Sequence, residues 1–494
     1  MMAPLPSGPG PKVDSESKDA SLNRPVSFWS PVPRCFPDER WRPSIFCLRF
    51  ADFALLVVLA AFFVYLSHRP LWHTDLWGHL AYGRVIATSG AIPATEPLMP
   101  LCQGVPFVDF SWLSELLAYV AYDWRGAPAL QFLYAASVTA CVGLLTWCSR
   151  RKTGSAWAAA LAAVIYVWVD WRQLAIVRPQ LAGCLCFLVL WSRVASGASS
   201  RRRKTIAPGF RPGSTRQLFM FGAPIAALFA LWGNLHGSFL IGLATIGAFV
   251  CGRALDLLRR TRSLGALSVD KRLRALATML LVASVAVLLN PYGWRIYSAA
   301  WELSSNANLA DLVEWKPLRL WTGQGLPALY VSVGLLGLYV LTPRRILATE
   351  LLLLVGLGGC TLLKSRLIVW WGPVAAYYAA LHAAAIWKRW RHVTRAQSAA
   401  PARTIPPQFA LIVACIALLC TPLTAVLSRR PLADSPTSLS EDTPIGAAAF
   451  LRTHPPRGRL FRQRVASIWH SFDGHDPTAH KPAHRYMRRI HAEY

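Results

Sequence analysis

The sequence predicts an all-α protein that crosses a membrane many times. Of its 494 residues, 54% are hydrophobic and only 15% are charged, whereas soluble domains carry about 25% charged residues. The hydrophobic residues are gathered into runs that are separated by short basic clusters, which is the pattern of a polytopic membrane protein. The composition therefore excludes a soluble enzyme, a fibrous protein and a small module held together by disulfide bonds.

Eleven apolar segments account for the predicted transmembrane helices, and together they define a membrane domain over residues 49–427. Several of them are shorter than the ~20 residues that cross about 30 Å of hydrocarbon, so their ends are uncertain by a few residues. In chain order the segments are 50–67, 128–148, 156–170, 177–195, 218–233, 238–255, 275–289, 326–342, 346–363, 367–386 and 408–427.

The charges of the loops predict how these segments are oriented. Basic clusters such as 150–152 and 201–204 fall on every second loop if the amino terminus is inside. Because positively charged loops remain on the cytoplasmic side, we expect an inner-membrane protein with its amino terminus inside and its carboxy-terminal tail outside. The net charge of +28 then reflects contact with anionic membrane lipids, and nucleic acid is not expected as a partner.

Terminal segments and long loops complete the predicted organisation. Residues 1–48 are rich in Pro, Ser and mixed charge and predict a disordered cytoplasmic arm. Residues 428–494 predict a short, poorly ordered tail on the outer side. Two long outer loops are expected at 68–127 and 290–325, and residues 112–123 of the first have the apolar spacing of an interfacial helix.

Polar residues that could carry chemistry fall almost entirely in the predicted outer loops. Loops that are far apart in the chain bring Asp, His, Asn, Arg and Glu to one side of the membrane, which predicts a site at the outer membrane–water boundary. The candidate substrate-binding residues are Arg84, Glu115, Arg178, Gln180, Asn234, His236, Asn290, Tyr292, Glu314 and Arg366.

Asp75 and His79 are the candidate catalytic residues. Asp75 directly follows the first apolar segment, where a carboxylate near the headgroups requires an explanation. On a helix, Asp75 and His79 lie one turn apart on the same face, so that an acid–imidazole pair is available to abstract a proton. The structural alternative is that Asp75 caps a short helix that begins at Leu76.

A divalent cation is the possible cofactor. Asp75 and Glu96 together could supply oxygen ligands to Mg²⁺ or Mn²⁺. Glu96, Asp109 and Glu115 are the other acids of the first outer loop. Each of these three is alternatively an ordinary solvated charge, since surface acids are common.

The arginines of the outer loops and the polar residues of one tight turn can each have either a binding role or a structural role. The guanidinium groups of Arg84, Arg178 and Arg366 could bind a lipid phosphate bidentately, or they could simply anchor span ends among the headgroups. Asn234 and His236 could line a cavity, or they could satisfy backbone groups that are opened by the glycines beside them.

The loop motifs resemble those of a large family of bacterial multi-pass membrane proteins that carry a TDxWxHL motif in the first loop. The resemblance covers roughly residues 50–385. The matching strings, in chain order, are TDLWGHL at 74–80, WLSEL at 112–116, RPQ at 178–180, WGNLHG at 232–237, NPYG at 290–293 and EW at 314–315.

The family is largely uncharacterised, and its architecture is similar to that of GT-C membrane glycosyltransferases, which use polyprenyl-phosphate-linked sugars at the outer face. The resemblance implies that Asp75 is the essential aspartate after the first span and that 112–123 is the interfacial helix. The chain departs from the family at Gly78, where a second Trp is usual, and at Glu96, where an Asp is usual. After Arg464 the tail is unlike that of the family.

The sequence therefore predicts a glycosyltransferase that moves a sugar from a polyprenyl-phosphate donor to a glycan, lipid or protein acceptor at the outer face. Asp75 would act as general base or hold the cation, His79 would position it, and the arginines would stabilise the departing phosphate. A transporter or flippase would instead require polar mid-span residues and repeated halves, and a non-catalytic membrane protein would need no clustering of polar motifs. Mid-span positions are almost purely apolar and no repeat is visible, which favours the transferase.

Overall fold

The architecture comes from a computed structural model. Most of the predicted arm, the first residue of the TDLWGHL motif and nearly all of the predicted tail lie outside the residues that it describes. The described residues are 48–72, 75–99, 102, 104–195, 215–305, 309, 312–394, 404–421, 450 and 453–454.

Helices make up most of the described structure, which confirms the predicted all-α class. Each of the eleven predicted apolar segments overlaps one of the described helices, and residues 422–427 of the last segment lie outside the described residues. Two short strands, β1 (Leu48–Arg49) and β2 (Thr404–Ile405), pair in an antiparallel manner. Short 3-10 helices occupy Val313–Trp315 and Ser365–Leu367. The α-helices of the described residues are α1 (Phe50–Ser67), α2 (Asp75–Ser89), α3 (Trp112–Arg125), α4 (Ala127–Thr153), α5 (Ala156–Leu174), α6 (Gln180–Val194), α7 (Thr215–Leu235), α8 (Phe239–Thr261), α9 (Gly265–Val269), α10 (Lys271–Ala286), α11 (Arg295–Ser305), α12 (Gly325–Leu341), α13 (Ala348–Leu363), α14 (Ile368–Thr394) and α15 (Pro407–Leu419).

Several of these helices have the character of membrane spans. Four helical segments of the described chain are long and apolar enough to cross a membrane, namely α1, α4, α8 and Ser365–Arg391, which contains most of α14. Shorter apolar helices include α6, α12, α13 and α15. These features indicate an integral membrane protein, whereas the number of eleven crossings and the direction of insertion stay predictions.

The centre of the bundle is built from small residues that surround large aromatic ones. Ala158 and Ala162 of α5 and Ala376 and Ala380 of α14 are fully buried, where they allow the two backbones to approach closely. Trp191 of α6 packs edge to face on two tyrosines of α14, with ring centroids 5.3 and 6.0 Å apart. Because lipid tails are as apolar as side chains, close packing of this kind is what holds helices together in a membrane.

A buried polar network joins α13 to the middle of α14. Glu350 and His382 are both fully buried, and His382 Nε2 lies 2.5 Å from Glu350 Oε1. Tyr339 donates to the same oxygen at 2.8 Å, and Arg344 lies 3.7 Å from the other oxygen. Unpaired charge in apolar surroundings is unfavourable, so these partners explain how the acid is kept inside the bundle. The sequence analysis did not single out this network.

The helices α2 and α3 form a closely packed pair beside the bundle. Gly83 of α2 permits this approach, because a Cβ at that position would lie 2.2 Å from the backbone oxygen of Glu115 in α3. Trp77 and Tyr122 also join the two helices, with ring centroids 5.9 Å apart. The other side of α3 carries exposed apolar residues at helical spacing, namely Leu117, Val120 and Trp124. The helix predicted at 112–123 is thereby confirmed as an element, and its exposed face has the pattern of an interfacial helix.

Enlarging Gly83 should destabilise the protein. We expect Gly83→Ala to lower the free energy of unfolding by about 1–3 kcal/mol, because the added methyl group forces the two helices apart. Gly78→Ala is the matched control on the same helix, since a Cβ there would have nothing within 4 Å. Thermal unfolding of both variants in detergent measures the difference. An unchanged melting temperature for Gly83→Ala would contradict the close approach of α2 and α3.

Candidate functional site

Arg178 joins two acidic residues from distant parts of the chain. Its Nη2 lies 2.5 Å from Oδ2 of Asp75, 103 residues away, and its Nη1 donates to Oε1 of Glu314, 136 residues away. Asp75 is the first residue of α2, Arg178 lies in the turn before α6, and Glu314 belongs to the 3-10 helix Val313–Trp315. Three of the predicted outer segments therefore meet at one guanidinium group.

A second guanidinium group lies on the other side of Glu314. Arg366 Nη1 is 3.8 Å from Glu314 Oε2. The backbone around Glu314 is fastened to the segment that carries Arg366, because Ser365 Oγ donates to the Glu314 carbonyl at 3.1 Å. The ring of Trp315 lies 4.5 Å from Lys364 Nζ and 5.9 Å from the Arg366 guanidinium carbon. These contacts hold both arginines beside a single carboxylate.

The pairing of these charges limits what Asp75 can do. A guanidinium group uses the same fork of donors to bind a carboxylate and a phosphate, so an anionic ligand would compete with Glu314 for the two arginines. The hydrogen bond from Arg178 to Oδ2 engages the Asp75 carboxylate in holding the guanidinium group. The geometry therefore favours Asp75 as a residue that positions Arg178.

A second polar cluster begins one turn further along α2. His79 Nδ1 lies 2.7 Å from Oε1 of Glu115 in α3. Glu115 and Asp109 are 4% and 5% exposed, and their carboxyl groups lie close enough for each to shift the pKa of the other. Asp109 Oδ1 also accepts the backbone N–H of Ser111 at 2.8 Å, which fixes the acid at the start of α3. Two carboxyl groups and an imidazole are thus held together beside Asp75.

Burial determines the protonation states of this cluster. Burial, and then the neighbouring Glu115 carboxylate, raise the pKa of Asp109 to about 8. Burial also raises the pKa of Glu115 to about 7 and lowers the pKa of His79 to about 4. At neutral pH the imidazole is therefore uncharged, and the two carboxyl groups retain a proton between them.

The turn between α7 and α8 supports the first loop. Trp112 Nε1 donates to Asn234 Oδ1 at 3.0 Å, and the Asn234 amide donates to two backbone oxygens at 2.7 and 2.9 Å. His236 Nδ1 accepts the backbone N–H of Ser238 at 3.1 Å. These contacts favour the structural interpretation of Asn234 and His236, which satisfy backbone groups of the turn and anchor α3.

Glu96 is held apart from Asp75 by different partners. Its carboxylate accepts the hydroxyl of Tyr82 at 2.9 and 3.0 Å and two backbone N–H groups at 2.9 and 3.0 Å. Asp75 is bonded to Arg178 instead. Among the described residues, no group of three or more His, Cys, Asp or Glu is arranged to hold a metal ion. The divalent cation stays a prediction, and no chemical step is derived through it.

The other predicted binding residues have supporting or peripheral positions. Arg84 is exposed on α2, and Gln180 is buried as the first residue of α6. Asn290 accepts the backbone N–H of Tyr292 at 2.7 Å. The hydroxyl of Tyr292 in turn accepts the backbone N–H of Asp109 at 3.0 Å. The turn at 290–293 therefore positions the acid cluster.

Asp109 is the site residue that the candidate set lacked. The available signal was its place two residues before Ser111, since an Asp in that position commonly bonds to the backbone where a helix starts. That signal predicts a turn and not a buried acid. Burial of Asp109 against Glu115 depends on the packing of α2 on α3, which the local pattern does not contain.

Comparison with known proteins identifies the fold. No protein-family model and no curated protein matches this chain. The apo oligosaccharyltransferase of Archaeoglobus fulgidus is similar in structure, with a TM-score of 0.50 and 14% identity over 83% of this chain and 59% of that one. The same enzyme tethered to an acceptor peptide with the NVT sequon has a TM-score of 0.47 and 14% identity, over 84% of this chain and 59% of that one. ArnT from Cupriavidus metallidurans, bound to undecaprenyl phosphate, has a TM-score of 0.42 and 15% identity, over 78% of this chain and 66% of that one.

The fold is GT-C-like. At 14% identity, the likeness to the oligosaccharyltransferase concerns the fold alone. This chain spans about three fifths of the length of that enzyme, so the activity and substrates of the enzyme do not follow from it. The predicted resemblance to GT-C membrane glycosyltransferases is supported at the level of the fold, whereas the link of the loop motifs to a bacterial family stays a prediction.

The ion pair between Arg178 and Glu314 should be measurable by a double-mutant cycle. We expect Arg178→Gln and Glu314→Gln to show a coupling energy of about 0.5–3 kcal/mol in unfolding experiments, because either substitution removes the same ion pair. Arg295→Gln combined with Glu314→Gln is the control, since Arg295 is an exposed residue of α11. Equal coupling in both cycles would contradict the contact.

Proposed function

We propose that the protein is a membrane glycosyltransferase that moves a sugar from a polyprenyl-phosphate donor to a glycan, lipid or protein acceptor at the outer face of the membrane. The observation that carries this proposal is the pair of guanidinium groups of Arg178 and Arg366 on either side of Glu314. The GT-C-like fold and the resemblance of the loop motifs support it.

The two arginines suit a phosphate that leaves with negative charge. Guanidinium groups that are already oriented stabilise charge as it develops, without reorganisation during the reaction. In the free protein the carboxylate of Glu314 lies between them and supplies the balancing charge. A lipid phosphate would take the place of that carboxylate, while Asp75 continues to hold Arg178.

The surroundings of the site suit a substrate with a long apolar chain. Amphipathic helices lie at a membrane surface with their apolar face in the lipid, and both α3 and α11 present such faces. A polyprenyl chain would remain in the hydrocarbon while its phosphate reaches the arginines. The exposed residues of these faces are Leu117, Val120 and Trp124 of α3, together with Trp301 of α11 and Trp294 just before it.

The proposed orientation places the amino terminus in the cytoplasm and the carboxy-terminal tail outside the cytoplasmic membrane. It follows from the basic loops of the sequence and puts the cluster around Arg178 on the outer face. The acceptor would enter from the aqueous side, and the donor would enter from the lipid.

A transporter or flippase is the alternative, and a buried carboxyl group favours it. Asp170 of α5 is fully buried, and no described residue donates a hydrogen bond to either of its oxygens. Ionisable groups inside a membrane often mark the path of a substrate. A transporter would lose its function in Asp170→Asn, whereas the transferase would depend on Asp75 and the two arginines.

Donor binding should depend on both arginines. We expect Arg178→Gln and Arg366→Gln each to weaken the binding of undecaprenyl phosphate about tenfold or more, because each removes a charge-assisted hydrogen bond. Arg319→Gln is the control, since Arg319 is exposed in the same loop as Glu314. Binding to the full chain in lipid nanodiscs is the measurement. Equal affinity of all three variants would contradict the phosphate site.

Sugar transfer should depend on Asp75. We expect Asp75→Asn to abolish transfer while the protein still inserts into the membrane, because Arg178 loses the carboxylate that orients it. The assay supplies undecaprenyl-phosphate-linked sugars as a panel and measures the release of undecaprenyl phosphate. Full activity of Asp75→Asn would remove this mechanism.

A further inference from the structure

We propose that His79, Glu115 and Asp109 form a relay of interacting groups in which Nε2 of His79 takes the proton of the acceptor hydroxyl and Glu115 stabilises the resulting imidazolium. The inference rests on the proposed glycosyl transfer, and it assigns the role of base to His79 in place of Asp75. Three features support it: the orientation of the imidazole, the charge of the carboxyl pair and the arginines beside the ring.

The hydrogen bond to Glu115 orients the imidazole. A carboxylate that accepts Nδ1–H fixes the tautomer in which Nε2 carries the lone pair, and His79 Nδ1 lies 2.7 Å from Glu115 Oε1. The side chain of His79 is 28% exposed, whereas that of Glu115 is only 5% exposed. The ring is therefore partly accessible, while its carboxylate partner remains buried.

The carboxyl pair sets the charge behind the imidazole. Oδ2 of Asp109 and Oε2 of Glu115 are buried, and outside this pair no described residue donates a hydrogen bond to them. Adjacent carboxyl groups do not readily ionise together, so one proton is shared between them. Asp109 holds that proton because its pKa is the higher of the two, at about 8. Glu115 is then the anion that accepts Nδ1–H of His79.

The charges around His79 couple the base to the donor. Asp75 and Asp109 raise the pKa of His79. Arg178 and Arg366 lower it, and a phosphate bound to both arginines would cancel part of their charge. The pKa of His79 therefore rises when the donor binds. The other titratable groups that face the relay are His236 beside the ring, and Tyr82 and Tyr292 beside the carboxyl pair.

The transfer step balances in protons and electrons. The acceptor oxygen forms a bond to the anomeric carbon of the sugar as its proton passes to Nε2 of His79. The bond between the anomeric carbon and the phosphate oxygen breaks, and its electron pair leaves with the polyprenyl phosphate that Arg178 and Arg366 hold. Glu115 stabilises the imidazolium, which then releases its proton to water.

Two isosteric substitutions test the relay. We expect Glu115→Gln to slow sugar transfer about 10²- to 10⁴-fold, the contribution of a general base, because an amide cannot stabilise the imidazolium. Asp109→Asn should cause a clearly smaller loss at neutral pH than Glu115→Gln, since its neutral amide replaces a protonated acid. Asp123→Asn is the control on α3, where Asp123 is exposed. Equal losses in Glu115→Gln and Asp109→Asn would indicate a purely structural role and overturn the relay.

The dependence on pH follows from the states that Glu115 and His79 must have. Glu115 must be ionised and the base neutral, so kcat/KM falls as the pH drops through the pKa of Glu115, about 7, and falls again through the pKa of His79 in the free protein, about 4. The fall in kcat that reflects His79 should occur at a higher pH, because the donor is then bound to the arginines. Coincident profiles of kcat and kcat/KM would contradict the coupling.

A spectroscopic readout separates the relay from the proposed function. In protein labelled with ¹⁵N-histidine, in nanodiscs, we expect the Nδ1–H tautomer of His79 in wild type and its loss in Glu115→Gln. Undecaprenyl phosphate, used alone as the probe, should raise the pKa of His79. The Nε2–H tautomer in wild type, or no shift with the probe, would overturn the relay. A wild-type protein that transfers no sugar would contradict the proposed function even if both NMR results are positive.

Discussion

The arrangement of the site depends on one partly buried guanidinium group that serves two carboxylates. Arg178 is 11% exposed, and a buried charge is tolerated only when it is paired and hydrogen-bonded. Its partners Asp75 and Glu314 come from different loops, so the first loop and the loop before α12 must both be in place to balance it. A lipid phosphate can replace Glu314 as the partner of Arg178, so that the guanidinium group stays paired. The requirement that organises the loops therefore also favours an anionic ligand.

Two sets of groups with different charge lie beside each other in this site. The arginines carry permanent positive charge, which suits a leaving phosphate. The cluster of His79, Glu115 and Asp109 has buried carboxyl groups and a neutral imidazole at neutral pH, which suits the removal of a proton. Because the arginines lower the pKa of the imidazole, ligand binding at one set changes the basicity of the other.

The helices could be predicted from sequence because a chain in hydrocarbon must satisfy its own backbone hydrogen bonds, so apolar runs become helices. The side chains that meet at Arg178 were expected to lie on the same side of the membrane. Their pairing depends on tertiary packing, which the sequence patterns of the loops do not contain. The helix α11, Arg295–Ser305, lay within a predicted loop because it is short and mixed in composition. Glu96 was considered as a metal ligand, yet its bonds to Tyr82 and to the backbone can be found only in three dimensions.

A cryo-EM structure of the full chain in lipid nanodiscs with undecaprenyl phosphate would locate the anion. Our account predicts the phosphate between Arg178 and Arg366, with the side chain of Glu314 displaced and Asp75 still bonded to Arg178. A phosphate bound at another part of the surface, or Asp75 and Arg178 separated beyond hydrogen-bonding distance, would contradict it.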